Sequence, residues 1–416
     1  MSKREWKHGL LRIEAAAPKV SIANPAENAK ESLRVAERSD ADLLLLPELG
    51  LSGYTCGDLF PTRSLQEATL EALDSVRDAT AHFPQVMIVG FPLSVRGSLM
   101  NVAAVVGGGI IHGIVPKTFL PTYREFYEGR HFSGACEQDP DHVRVAGAEV
   151  PFGTDLLFQM AGATIAIEIC EDVWMPVPPS SLAAVAGANV LLNLSASNET
   201  IGKASWRRDL IRSQSGRCLA AYAYASSGRH ESTSDLVFGG HCLIAENGTV
   251  LGESRRVGDG IEPILPDQTS VVCDVDLQRL AHDRQVMGSF DDFLSQSPKR
   301  FRRVVIPVVD VDPSDGVART AIPNDLRRRV DAHPFVPDES SELEARCAEI
   351  LAIQTAGLAK RLSRIPDSLP LTIGVSGGLD STLALLVAVR TCQQLGRPVT
   401  DILGITMPGY GTTKHT

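Results

Sequence analysis

Residues 43–46 are four consecutive leucines held between Asp42 and Pro47. A run this short cannot cross a bilayer, and its abrupt boundaries read as a short buried strand. Just before it, Ala26, Ala29, Leu33 and Ala36 recur at helical spacing, so helix and strand come as one unit. The pattern then repeats. A helical stretch at 64–82 precedes strands at 86–90 and 102–106, and the Gly107-Gly-Gly109 turn leads into a strand at 110–115. Strands follow at 164–170, 190–194, 220–226 and 242–245, then a Glu246-Asn-Gly248 hairpin turn into 249–253, with 271–275 closing the set. Helical segments at 179–186 and 204–218 fall between these strands. Hairpins and crossovers in one region predict an α/β fold, a mixed sheet layered with helices.

After residue 290 the pattern changes. Lys299, Arg300, Arg302 and Arg303, three prolines (Pro307, Pro313, Pro323) and Arg327, Arg328 and Arg329 make a polar, proline-broken stretch, expected as a linker over 291–340. Its basic clusters read as a solvated face, with docking against an acidic surface of a neighbouring subunit as the alternative. A helix at 341–363, a strand at 371–375, a glycine-rich turn, a helix to 390 and a strand at 401–406 then open a second domain over 341–416. Only 71 residues follow residue 345, against about 100–200 for an independent domain. The second domain is therefore expected to be truncated.

The net charge of −10 argues against nucleic acid as a partner. No stretch approaches the roughly 18 apolar residues of a membrane span, and the charged N-terminus has no apolar core behind it. A cytoplasmic protein with no membrane partner is expected. The eight cysteines form no CxxC pair, so most should be reduced and buried, and no spacing suggests zinc.

Three strand ends carry polar residues that packing does not explain: Glu48 after the leucines, Lys117 after the strand at 110–115, and Cys170-Glu171-Asp172 after residues 165–169. Strand ends and their loops are where α/β folds collect reactive groups. Individually, Glu48 and Lys117 read as surface charges and Cys170 as a small core residue. Together they supply what a thiol needs to become a nucleophile, a base and a cation.

In order and wording (Leu-Pro-Glu48-Leu-Gly-Leu-Ser-Gly-Tyr, Pro-Lys117-Thr-Phe-Leu-Pro, Cys170-Glu-Asp-Val-Trp), these segments resemble the Glu-Lys-Cys triad of the nitrilase superfamily. Tyr54-Thr-Cys-Gly-Asp-Leu-Phe, Tyr123-Arg-Glu-Phe-Tyr-Glu128 and Leu194-Ser-Ala-Ser-Asn198 are similar to the glutaminase domain of glutamine-dependent NAD synthetases, and the likeness spans residues 8 to 290. The resemblance implies an α-β-β-α sandwich over 1–290 in which Glu48 takes the thiol proton and Cys170 attacks the side-chain amide of glutamine. Lys117 and the Glu171 N–H would stabilise the oxyanion. Ammonia leaves, and a thioester remains for water to cleave. The same resemblance assigns glutamine binding to Tyr123, Glu171, Trp174, Ser197 and Lys203. Lys203 stands where many relatives carry arginine, so a point charge replaces a fork. Glu128 joins this set, or supports the triad as a second carboxylate.

The second domain's turn, Gly374-Val-Ser376-Gly377-Gly378-Leu379-Asp380-Ser381, lies between strand and helix, where backbone N–H groups cradle phosphate. It is neither GxxxxGK[ST] nor GxGxxG. It resembles the SGGxDS signature of ATP pyrophosphatases, which implies the beginning of a Rossmann-like domain. There Gly374 to Ser381 hold ATP and Asp380 helps to bind Mg2+. Met407-Pro-Gly-Tyr-Gly-Thr-Thr413 looks like the NAD synthetase form of the next loop. The resemblance thus implies a glutamine-hydrolysing NAD(+) synthetase acting on nicotinic acid adenine dinucleotide, a homo-oligomer that passes ammonia internally. Its glutaminase site needs no cofactor, and the chain as given keeps only the glutaminase half. The alternatives are a nitrilase-type amidase of another substrate and a non-catalytic assembly module.

Overall fold

A computed structural model describes residues 9–160, 162–256, 259, 265–294, 300–307, 326–337 and 340–407. The chain divides into two units, Met1–Arg329 and Val330–Thr416. The first runs β1 (Leu10–Pro18), α1 (Pro25–Arg38), β2 (Leu43–Leu45), α2 (Arg63–Ala79), β3 (Val86–Val95), β4 (Ser98–Gly107), β5 (Ile110–Pro116), β6 (His142–Val145), β7 (Ala148–Pro151), β8 (Leu156–Met160), β9 (Ala163–Ile169), α3 (Pro179–Val185), β10 (Val190–Ser195), α4 (Lys203–Arg217), β11 (Ala221–Ser226), β12 (Cys242–Glu246), β13 (Thr249–Glu253), β14 (Gln268–Asp276), α5 (Leu277–Val286), α6 (Gly288–Leu294) and β15 (Arg302–Val305).

Two sheets organise these strands, as the α-β-β-α sandwich implied by the resemblance requires, where periodicity alone suggests one mixed sheet: a six-stranded sheet in the order β14-β1-β2-β3-β4-β5 and a seven-stranded one in the order β13-β12-β11-β10-β9-β8-β15. The alternation of side chains along a strand explains the layering. Leu43 and Leu45 join Ile165, Ile167 and Ile169 in the core between the sheets. Leu44 and Leu46 turn the other way, into a cluster with Val35 of α1 and Val76 of α2. On the far side, Tyr222 and Tyr224 pack with Ala184 of α3 and Ile211 of α4. The result is helix, sheet, sheet, helix. β1, β2 and β3 are parallel, as are β9, β10 and β11.

Local chemistry sets the boundaries. Pro25 opens α1, and the Asn24 side chain accepts the Glu27 N–H. The strand expected over 86–90 runs on through Gly90 and Pro92 to pair Val95 with Ser98 of β4. Arg96 and Gly97 turn that hairpin with φ of 53° and 81°, the left-handed pair a tight two-residue turn requires.

The linker expected over 291–340 is partly structure of the first unit. β15 adds a parallel edge strand beside β8, and Ile306 lies in the core between the sheets. Arg302 forks onto Asp155 at 2.8 and 2.6 Å. The Arg327 N–H bonds Asp274 Oδ2 at 2.7 Å, and Arg328 forks onto Glu246 at 2.7 Å twice. Arginines that read as solvated are thus paired with carboxylates remote in sequence. Lys299, Pro313 and Pro323 lie outside the described residues.

The second unit holds α7 (Ser340–Leu362), β16 (Leu371–Gly374), α8 (Leu379–Leu395) and β17 (Ile402–Ile405). β16 and β17 are parallel, the βαβ order the sequence suggested, and α7 packs on α8. All eight cysteines are free, with Cys136 and Cys347 exposed and the others buried. Among the described residues no helix is long and apolar enough to cross a membrane.

Candidate active site

The three strand ends named above meet at one end of the two sheets. β9 delivers Cys170 at the first position of a 3-10 turn, Cys170–Trp174. Cys170 has a φ of 46°, a left-handed conformation that costs a non-glycine residue about 1–2 kcal/mol. Leu49, next to Glu48, has a φ of 52°. Both outliers flank the polar cluster, where stored backbone strain commonly concentrates. The Glu48 N–H donates to Ser195 O at 3.3 Å, which ties the loop after β2 to the end of β10 in the other sheet. Gly90 makes room for that loop: a Cβ there would lie 2.5 Å from Leu49 N and 2.8 Å from Pro47 O.

Lys117 follows β5, and its ammonium is the hub of the cluster. Nζ donates to Glu48 Oε1 at 2.5 Å and to the two Glu128 oxygens at 2.8 and 2.7 Å. Asn101 Nδ2 also donates to Glu48 Oε1, at 2.7 Å, and the Tyr54 hydroxyl donates to Glu128 Oε1 at 2.7 Å. Glu48 and Lys117 are 0% exposed and Glu128 5%. Among the described residues, Glu48 Oε2 is buried with no hydrogen-bond partner, a lone pair available to a proton donor.

The electrostatics follow from one cation serving two carboxylates. Burial works against the Lys117 ammonium, but Glu128 and Glu48 hold its pKa well above the usual lysine range. Burial, opposed by Lys117 and reinforced by Glu48, pushes Glu128 up to about 7. Burial pushes the Cys170 thiol up as well; the Glu48 charge adds to this and Lys117 counters it. The resting thiol is therefore protonated, and it needs a base to react.

Around this cluster lie the other residues singled out from the sequence. The Tyr123 hydroxyl donates to both Glu171 oxygens at 2.9 and 3.1 Å. Lys203 Nζ bonds Asn198 Oδ1 and sits 5.2 Å from the Phe126 ring and 5.9 Å from the Trp174 ring, within cation–π reach. Burial pushes Lys203 down. Ser197 is buried, and its Oγ accepts from Arg207 at 3.1 Å. A cleft lies against Glu128 and Tyr54, walled by Phe60, Phe126, His131 and Phe132.

Sequence reasoning missed Asn101, Arg207 and Glu231, and it quoted Tyr54 and Asp172 within motifs without giving either a role. Asn101 is a single amide in an otherwise apolar strand, and that was its only signal. Glu231 is buried and accepts from Tyr54 N, Thr55 N and Thr55 Oγ1 at 2.8, 3.0 and 2.6 Å, so it seats the tyrosine that reaches Glu128. Arg207 is 0% exposed and donates to Glu199, Ser197 and the Asn198 carbonyl.

In the second unit, Gly374 ends β16 and the Val375 N–H bonds Ile405 O at 2.9 Å. Gly377 has a φ of 84°, which makes the turn after Ser376 a glycine position. Ser381 Oγ accepts the Ser376 N–H at 3.2 Å and donates to Gly378 O at 3.0 Å, closing the loop at the start of α8. Leu379 and Asp380 stand in the first turn of α8, with Leu379 88% exposed. No group of three or more His, Cys, Asp or Glu among the described residues could hold a metal. Asp380 supplies a single carboxylate, which fits Mg2+ only in the mode where phosphate oxygens and water complete the shell. The loop Met407-Pro-Gly-Tyr-Gly-Thr-Thr413 lies outside the described residues beyond Met407.

A helix-sheet-sheet-helix sandwich with a carboxylate, an ammonium and a thiol gathered at its strand ends defines an amide-type hydrolase scaffold. The family model described as carbon-nitrogen hydrolase matches residues 13–284, and the chain belongs to that family. It is 42% identical over 420 residues to the glutamine-dependent NAD(+) synthetase of Mycobacterium tuberculosis, an alignment covering 99% of this chain and 59% of that protein. The chain thus spans 59% of the length of that curated relative. Among solved structures, the glutamine-dependent NAD(+) synthetase of Cytophaga hutchinsonii superposes with a TM-score of 0.56 at 22% identity, over 93% of this chain and 53% of that one. A nitrilase-superfamily amidase from Nesterenkonia AN1 gives 0.51 at 18% identity, over 69% and 98%. These two likenesses concern the fold.

Proposed function

We propose that the first unit hydrolyses the side-chain amide of glutamine through a thioester on Cys170. The observation that carries the reading is the buried Glu48–Lys117–Glu128 cluster beside the thiol, with Glu48 Oε2 unpartnered. Glu48 Oε2 takes the Sγ proton as sulfur adds to the amide carbon. The oxyanion is met by Lys117 Nζ and the Glu171 N–H. Glu48 returns the proton to the departing nitrogen, ammonia leaves, and the acyl group stays on sulfur. Water, deprotonated by Glu48, then cleaves the thioester to glutamate and regenerates the thiol. Glutamine and water become glutamate and ammonia.

Glu128 keeps Lys117 charged and in place, because both of its oxygens are on the ammonium. Glutamine's α-amino group would pair with Glu171, oriented by Tyr123, and its α-carboxylate with Lys203 over Trp174, with Ser197 beside them. Ammonia is then the nitrogen donor for ATP-dependent amidation of nicotinic acid adenine dinucleotide to NAD. The names of the relatives and the serine-closed loop from Ser376 to Ser381 support this larger role. Gly374 to Ser381 would hold the pyrophosphate end of ATP, with Asp380 as one Mg2+ ligand. Mg2+ supplies charge neutralisation at the phosphates when bound.

The test is product release by the 416-residue chain. Glutamine should yield equimolar glutamate and ammonia, simple aliphatic amides far less, and Cys170→Ala neither product. Equal turnover of aliphatic amides would reject glutamine as the substrate.

A further inference from the structure

Asp172 has no part in the chemistry described above, yet it joins the two sheets at the residues flanking Lys117 and Cys170. Its side chain is 1% exposed. Oδ1 accepts the Phe119 N–H at 2.9 Å and the Thr118 N–H at 3.2 Å, while Oδ2 accepts the Ile169 N–H at 2.9 Å. Thr118 directly follows Lys117, and Ile169 directly precedes Cys170. Lys117 hangs from β5 of the six-stranded sheet and Cys170 from β9 of the seven-stranded one. Sheet packing through apolar side chains fixes spacing loosely, because apolar contacts are not directional. A carboxylate bonded to both strand ends fixes it closely.

We propose that Asp172 is the positioning residue that sets the register of Lys117 against the Cys170 sulfur. Resting on the glutaminase reading above, this deepens it by naming what aligns cation and nucleophile. Every partner is an N–H donor, so the carboxylate accepts from all of them, and these bonds oppose the burial that pushes Asp172 up to about 8. An amide there would turn an NH2 group toward one of those donors and lose one arm of the clamp. The bond to Ile169 N also closes the turn in which Cys170 adopts its φ of 46°. A displacement of about 1 Å at reacting groups costs about 100-fold in rate.

The experiment compares the full chain with Asp172→Asn by steady-state glutamine hydrolysis, urea unfolding, and site-resolved iodoacetamide alkylation of Cys170 against pH, read by peptide mass spectrometry. The expected result is a folded variant with KM within about 3-fold of wild type and kcat lower by about 100-fold. The Cys170 alkylation profile should move to higher pH, because the thiolate has lost its aligned cation. Unchanged kcat with an unchanged alkylation profile overturns the proposal. So does a variant that fails to fold, which assigns Asp172 to stability instead. If wild type itself releases no glutamate, the glutaminase reading fails separately, and the alkylation profiles still decide the role of Asp172.

Discussion

Lys117 Nζ lies 2.5 Å from Glu48 Oε1, and neither side chain has any solvent-accessible surface. A buried ion pair of this kind is poor evidence for stability but makes each partner costly to remove alone. Lys117→Met leaves Glu48 and Glu128 buried without their cation and should lower unfolding free energy by about 3–5 kcal/mol. Glu48→Gln leaves Lys117 bonded to Glu128, so stability should fall much less while kcat drops by about 1,000-fold or more. Urea unfolding and glutamate release separate the two effects.

Glu128 gives a pH signature. Its folded pKa, pushed up by burial from 4.5 to about 7, means that the folded chain holds this proton more tightly than the unfolded chain does. The stability of wild type relative to Glu128→Gln should therefore fall as pH rises from 4.5 through 7. Activity should behave oppositely. Below pH 6 wild type carries a protonated Glu128 and resembles the variant, and above pH 7 the ionised carboxylate should raise wild-type kcat over it. Unfolding and rate profiles at pH 5 and pH 8 check both signs.

Gly90 tests whether the loop carrying Glu48 is held by backbone contact. In Gly90→Ala the new methyl meets Leu49 N and Pro47 O, both backbone atoms that cannot swing aside. A loss of about 1–3 kcal/mol is expected, together with a fall in kcat, since the displaced segment bears the base. Thermal unfolding and kcat should move together.

Lys203 should govern recognition, not chemistry. Lys203→Met keeps an unbranched side chain of similar length and removes the charge that sits beside Phe126 and Trp174. KM for glutamine should rise by about 10- to 100-fold with kcat within about 3-fold. A fall in kcat at constant KM would place Lys203 in the reaction itself.

The fold was legible where periodicity was clean. The leucine run and the 165–169 segment announced buried strands, and their ends announced Glu48 and Cys170. Less legible was anything set by partners remote in sequence. β15 and the clamp of Arg328 on Glu246 looked like a connection because proline and arginine dominate the local pattern, and no local signal marks the carboxylates that pair those arginines. Asn101, and the role of Asp172 though not its place at a strand end, were hidden for a similar reason: they bond Glu48 and the Phe119 N–H, each over fifty residues away. The strand pair β3 and β4 was foreseen too short because Gly90 and Pro92 normally end strands. Here the first gives room to a neighbouring loop.

The central claim is that Cys170 is the nucleophile that forms a covalent adduct with glutamine's carbonyl end. The most direct measurement is intact and peptide mass spectrometry of the full chain after incubation with a glutamine-like electrophile. One adduct per chain, located on Cys170, slowed by added glutamine and absent in Cys170→Ala, is the predicted result. A folded chain in which the adduct forms on exposed Cys136 or Cys347, or in which Cys170 stays unlabelled, would contradict the account.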